Sequence, residues 1–414
     1  MTDFALDASS APLSDAAEVR PAASAKAWLA VLSVSLGAFA SVTTEFLPVG
    51  LLPAIARDLH VSDGVAGLMI TVPGVAAAIA APAVTIFSGR LDRRRLLWLL
   101  MAMLVLSNAL SAVAPNFAVM LLGRLLLGIA LGGFWAIAAS LAGRLVPQHH
   151  AGRALAMILA GISVGTIVGV PAGVVIAGAV GWRGTFGLVG VVAAGVLVKQ
   201  FVVLPSLPTA TAVRLSHLTG LFRHRAACVG LLAGAFVING QFAAYTYVTP
   251  FLEQVAKVTA AQLGSILLGF GLAGFVGNFI AGFTADRFLR RTFATLIVLM
   301  AGGALLLPVL GHSPTAAGAV LLVWGVGFGA LPMCVQLWTM KSAPEAPESA
   351  SAVLVCVFQV CIALGAGWGG RLVDTTSTSA VMFAGGSVMV IGLVTLLVGG
   401  PAPSGARPVG AMAH

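Results

Sequence analysis

Charge is nearly missing from this chain. Only 8% of its 414 residues are Asp, Glu, Lys or Arg, against about a quarter in soluble domains. So little charge excludes a water-soluble globule and leaves lipid as the solvent. Cysteine is scarce as well. Cys228, Cys334, Cys356 and Cys361 all fall inside apolar runs and lack ligand spacing. That excludes a disulfide scaffold or zinc module and leaves four small hydrophobes. No metal or cofactor is expected, no ATP-binding motif occurs, and no extramembrane stretch is long enough to house an enzyme's active site. "GFGLAG" at 269–274 matches a dinucleotide fingerprint in form alone, because it lies in an apolar run with no strand before it.

What is there is apolar. Hydrophobic residues make up 59% of the chain, and mean hydropathy is +1.05. They come in runs of about 20 residues, the length that crosses a bilayer as helix. Twelve spans are expected, at 28–52, 65–88, 96–114, 118–142, 154–179, 185–204, 227–252, 262–285, 292–311, 316–340, 349–372 and 379–400. The longest polar break divides them six and six. The expected organisation is a disordered cytoplasmic tail (1–25), a first six-helix half (26–204), a cytoplasmic linker (205–226), a second half (227–400) and a short tail (401–414). Residues 1–25 lack the basic-then-apolar layout of a cleaved signal peptide.

The net charge of +9 reads as topology rather than as nucleic-acid binding. With the amino terminus inside, 17 of the 22 Lys and Arg fall on inside segments, four fall outside, and Arg124 lies within a span. The positive-inside rule then puts both termini in the cytoplasm.

The halves repeat. Asp92-Arg93 matches Asp286-Arg287, and Arg94-Arg95 matches Arg290-Arg291 once Phe288 and Leu289 are removed. Gly128, Gly132 and Pro53 match Gly325, Gly329 and Pro250 at an offset of 197. Parallel six-span repeats with a site between them are a transporter architecture.

Two charges stand out. Glu45 is the one acid, and Arg124 the one base, well inside a span. Each costs about 2.5–3.5 kcal/mol at a bilayer centre on insertion scales, so a task is expected of both. Each is eight residues from the outer end of its helix, roughly 12 Å deep, where the two could pair or compete for a proton. Pro48 removes the helical bond to the Thr44 carbonyl and gives the helix a kink beside Glu45. Glu45 reads as a proton carrier, with a static ion pair as the alternative.

Trp135 and Tyr245 offer ring faces and Asn239 and Gln241 offer amides, a set suited to a planar heterocycle with polar edges. Ordinary packing is the competing account. For Asn108, Gln336 and Gln359, interhelical hydrogen bonds are at least as good an account. Gly161, Gly165, Gly169 and Gly173, with Pro171 among them, form a smooth stripe for close helix approach.

The Asp-Arg-Arg-Arg turns, Arg124 followed by Gly128, and the Gly/Pro-rich fifth span resemble the major facilitator superfamily, in particular its drug–proton antiporter branch. "EFLPVGLLP" (45–53), "LGRLLLGIALGGFWAIAASLAGRLVP" (122–147), "GWRGTF" (181–186), "LPSLP" (204–208) and "QFAAYTYVTP" (241–250) look most like its purine ribonucleoside efflux permeases. The resemblance implies an all-α integral membrane fold of twelve helices in two parallel halves, in the cell inner membrane. It implies a monomer with lipid, protons and a small solute as partners, exporting purine ribonucleosides such as inosine or guanosine; a multidrug or sugar exporter is the alternative. It also implies a gating latch at Asp92, Arg93, Arg94, Arg95, Asp286, Arg287, Arg290 and Arg291. The first turn departs from the family's pattern, with Ser88 where its first Gly stands.

Overall fold

A computed structural model describes residues 24–88, 91–208, 224–342 and 347–399. The two tails and most of the linker lie outside these. The described residues are helical, with no strand among them. In order they are α1 (Ala25–Asp58), α2 (Asp63–Ala66), α3 (Leu68–Phe87), α4 (Arg93–Ala112), α5 (Phe117–Leu145), α6 (Ala151–Val164), α7 (Val170–Val203), α8 (Arg225–Tyr245), α9 (Val248–Gln254), α10 (Ala260–Leu310), α11 (Pro314–Ser342), α12 (Pro347–Thr375) and α13 (Thr378–Val398).

Among the described residues, ten helical stretches are long and apolar enough to cross a membrane. Two exceed any single crossing, Gln148–Val203 with 56 residues and Ala260–Leu310 with 51. A straight 51-residue helix would be roughly 75 Å long, over twice the hydrocarbon thickness. Both turn sharply. The first breaks at Gly181, whose φ of 72° favours a residue without Cβ. The second breaks at Phe288, at φ −131° and ψ 42°. That break falls on the two residues that interrupt the repeat in sequence.

Glycine sets how closely the helices approach. From α6 across the turn into α7, Gly161, Gly165, Gly169 and Gly173 meet Ser35, Phe39 with Val42, Thr43 and Leu47 of α1. Both sets advance four residues at a time, so the stripe runs along α1 in register. A Cβ on Gly161 would fall 2.1 Å from the Ser35 carbonyl oxygen. Between Gly165 and Gly169 the helix widens into a π turn. Pro171 follows it and supplies no N–H for the carbonyl of Ile167.

The offset of 197 reappears in packing. Gly128 and Gly132 sit against Pro73 and Ala77, and Gly325 and Gly329 against Phe270 and Gly274. Each contact maps onto its counterpart by that offset.

The candidate site at the seam between α1–α7 and α8–α13

Arg124 is fully buried on α5. Its Nη1 donates to the Thr44 carbonyl at 2.8 Å, Nη2 to the Glu45 carbonyl at 2.9 Å and Nε to the Met69 carbonyl at 2.9 Å. Two of these acceptors have a common origin. Pro48 cannot serve Thr44, and Pro73, four residues after Met69, cannot serve Met69. Arg124 thus supplies donors that two prolines withhold and ties α1 to α3. Sequence reasoning found Pro48 and missed Pro73, although the signal was a proline four residues after an apolar position.

Glu45 and Arg124 come side by side. Arg124 takes the main-chain carbonyl of Glu45, and no ion pair among the described residues includes Glu45. The buried carboxylate instead faces the C-terminal helices, where Gln359 Nε2 of α12 reaches its Oε1 at 3.5 Å. On the other side, the Thr44 hydroxyl donates to the Ala40 carbonyl and accepts from Asn108 Nδ2 at 3.1 Å. A polar chain therefore runs from Asn108 through Thr44, Arg124 and Glu45 to Gln359. Gln359 is an interhelical bond, as expected, but one aimed at the buried acid.

Beside it, Phe46 of α1 stacks on Phe242 of α8 at 5.6 Å. Phe46, Phe242, Tyr245, Phe328, Thr166 and Val170 line a narrow crevice of about 10 Å³, room for one water. Tyr245 stacks on Phe270 and Phe328, with Trp324 edge-on. Trp324 Nε1 donates to Gln241 Oε1 at 2.6 Å, and Gln241 Nε2 is buried without a partner.

Gln241 and Tyr245 therefore come together. Asn239 turns to α12, donating to the Cys361 carbonyl and accepting from Trp368 Nε1 at 2.9 Å. Trp135 is half-buried on α5 against Phe134. The aromatic neighbours Phe46, Phe270, Trp324 and Phe328 were not singled out from sequence, since an aromatic in a membrane span reads as packing.

The basic turns are engaged locally. Asp92 caps α4 through Arg94 N–H and accepts from the Leu207 N–H at 2.9 Å and from the Ser206 hydroxyl. Arg93 N–H returns to the Leu207 carbonyl, its guanidinium bonds Ser88, and Arg144 bonds the Pro208 carbonyl. The Arg94 guanidinium lies over Trp98, and Arg95 is exposed. Burial alone would raise the Asp92 carboxyl. The bonds from Ser206, Leu207 and Arg94, with the charge of Arg94, outweigh that and hold it below the ordinary aspartate range. In the second turn Lys341 reaches Asp286, Arg290 bonds the Leu397 carbonyl, and Arg287 and Arg291 flank the Phe288 ring. Among the described residues no His, Cys, Asp or Glu cluster could hold a metal ion.

A helical multi-pass membrane chain in which, among the described residues, one acid is buried between α1 and α12 has the build of a transporter. The chain belongs to the Major Facilitator Superfamily, whose profile matches residues 34–366. It is 38% identical over 388 residues to a Pseudomonas aeruginosa protein named transcription regulatory protein OpdE, covering 91% of this chain and 96% of that one. It is 35% identical over 370 residues to the purine ribonucleoside efflux pump NepI of Salmonella paratyphi A, covering 89% and 93%. Among solved structures, a bacterial homolog of the human lysosomal transporter Spinster, inward-facing and unoccupied, aligns with a TM-score of 0.70 at 16% identity over 91% of this chain and 96% of that one.

Proposed function

We propose that this protein is a proton-coupled antiporter that exports purine ribonucleosides such as inosine and guanosine across the cell inner membrane. Glu45 carries the proton reading. It is a buried carboxylate at the seam, held by a neutral amide rather than by a cation, so it can gain or lose a proton without breaking an ion pair. Arg124 sets the local shape of α1 and lends positive charge nearby. For the solute, the support is likeness to the nucleoside pump over most of the chain, together with an aromatic slot beside an unpartnered amide donor. A purine presents a flat face and acceptor nitrogens to such a slot. Tyr245 and Gln241 are the first contacts, with Trp135 and Asn239 at the margin.

The breaks at Gly181 and Phe288 turn ten helical stretches into twelve crossings. The offset-197 contacts support two parallel halves, 26–204 and 227–400, joined by the linker 205–226. With both termini cytoplasmic, Asp58, Asp63 and Asp374 face outside, and the seam is shut there. The state described is then inward-facing. The basic turns would latch the opposite, outward-facing state, with Asp92 and Asp286 exchanging their present local partners for the other half. The protein works as a monomer.

The test uses liposomes holding the purified protein, a pH dye and an imposed proton gradient. Inosine, guanosine, arabinose or a cationic dye is added in turn. Proton flux triggered by the nucleosides alone is expected. Flux triggered by the sugar or the dye instead would move the substrate to the alternative class.

A further inference from the structure

The outer end of the seam carries a second polar cluster. Asp374, near the end of α12, accepts from the Ser62 hydroxyl at 2.6 Å and the Gly64 N–H at 2.9 Å. Both donors belong to the turn that opens α2 and α3, so a carboxylate from the C-terminal helices closes a turn of the N-terminal ones. Gln254 Nε2 donates to Asp63 Oδ2 at 2.9 Å, and Arg57 pairs with Glu253 at 3.2 Å. The main chains touch here. A Cβ on Gly64 would fall 2.1 Å from the Gly370 carbonyl oxygen, and one on Gly67 would fall 1.9 Å from the Tyr247 hydroxyl oxygen. That hydroxyl donates to the Ala366 carbonyl at 2.6 Å.

The charges make this closure conditional. Asp63 and Asp374 line one open pocket of about 480 Å³, together with Gln254 and Thr376. Two carboxylates sharing a pocket repel. Their hydrogen bonds come from neutral donors: Gln254 for Asp63, and Ser62 and Gly64 for Asp374. Those bonds exist only while the two sets are in contact, so once they break, like charge favours separation. A contact that holds when made and repels when broken has two states, which is what a gate requires.

We infer that Asp374, with Ser62 and the Gly64 N–H, is the outer gate latch of this transporter. The inference rests on the alternating-access reading above, but not on the identity of the solute. The Asp374 side chain sits at the solvent edge, so replacing it leaves the buried core intact.

Spin labels at His60→Cys and Thr376→Cys, both exposed positions, report the width of the outer seam. The background has the four native cysteines replaced, and the full-length protein is held in lipid nanodiscs without solute. Asp374→Ala is expected to raise the ratio of wide to narrow distances by roughly fivefold, the lower end of usual coupling between conformational states. Ser62→Ala, which removes one bond, is expected to raise it less. An unchanged distance distribution in both variants would overturn the latch, even if nucleoside-driven proton flux persisted. A widened seam in a protein that moves no nucleoside would uphold the latch and remove the substrate assignment.

Discussion

Arg124 stands in for the main-chain donor that Pro48 lacks. Its Nη1 meets the Thr44 carbonyl at 2.8 Å, the oxygen a residue-48 N–H would otherwise take. Nε does the same for Met69, which Pro73 leaves unserved. Removing the guanidinium exposes two buried carbonyls at about 1–3 kcal/mol each. Arg124→Met is therefore expected to lower the unfolding temperature sharply. In that background Pro48→Ala should restore part of the loss by returning an N–H to α1, although alone it should help little. The double-mutant cycle measures this, with a coupling of about 0.5–3 kcal/mol for groups in contact. Strictly additive effects would show that proline and arginine act independently.

Glu45→Gln keeps the shape of the side chain and a hydrogen-bonding partner for Gln359, but cannot exchange a proton. In the liposome assay it is expected to abolish nucleoside-driven proton flux while nucleoside binding, read by calorimetry, stays within about threefold, below 1 kcal/mol. Normal coupled flux would make Glu45 structural and send the search for a proton site elsewhere.

The glycine stripe allows a paired test. Gly161→Ala drives a methyl into the Ser35 carbonyl, and overpacking of this kind costs about 1–3 kcal/mol. Gly152→Ala, with nothing within 4 Å of its Cβ, should be neutral or should stabilise α6 by up to about 1 kcal/mol through helix propensity. Thermal unfolding of the two variants in one detergent should therefore move in different directions.

The sequence revealed most where physics leaves few choices. Lipid forces spans to be long, apolar and helical, so helices were legible from run length. The breaks at Gly181 and Phe288 were legible as polar interruptions, even though helical hydrogen bonding continues across both kinks. The buried pair was found because Glu45 and Arg124 are rare residues in a costly place. Their partners were hidden. That Arg124 would bond carbonyls and Glu45 an amide depends on how α1, α3, α5 and α12 pack, which no local pattern encodes. The aromatic slot was half legible for a similar reason: Tyr245 stands out as one of 2 tyrosines, whereas Phe328 looks like any of 21 phenylalanines.

Gln241 and Asn239 are two residues apart on α8 and should differ in what they do to binding. Gln241→Leu removes the free amide donor beside the slot and also the acceptor of the Trp324 indole, so it too lowers thermal stability. The KM for purine nucleosides is expected to rise about tenfold, one hydrogen bond's worth, with turnover nearly kept. Asn239→Leu instead breaks bonds to Trp368 and Cys361 on α12. It should lower thermal stability and leave KM nearly unchanged. An unchanged KM in the Gln241 variant would take that residue out of the site.

Asp92 makes the linker's attachment depend on pH. Its carboxylate holds Ser206 and Leu207, and these bonds keep its carboxyl below the ordinary aspartate range. A depressed carboxyl contributes its bonds fully above the unfolded value, about 3.9. It loses them only as pH falls through the still lower folded one. The start of the linker should thus stay docked at mildly acidic pH and release below that range. Hydrogen exchange at Leu207 should be slow and flat through the mildly acidic range once corrected for intrinsic rate. Asp92→Asn, which keeps one acceptor but loses the charge, should speed it throughout that range. Equal protection in the two proteins would mean that Arg144 and the buried Leu204 and Leu207 hold the linker without the carboxylate.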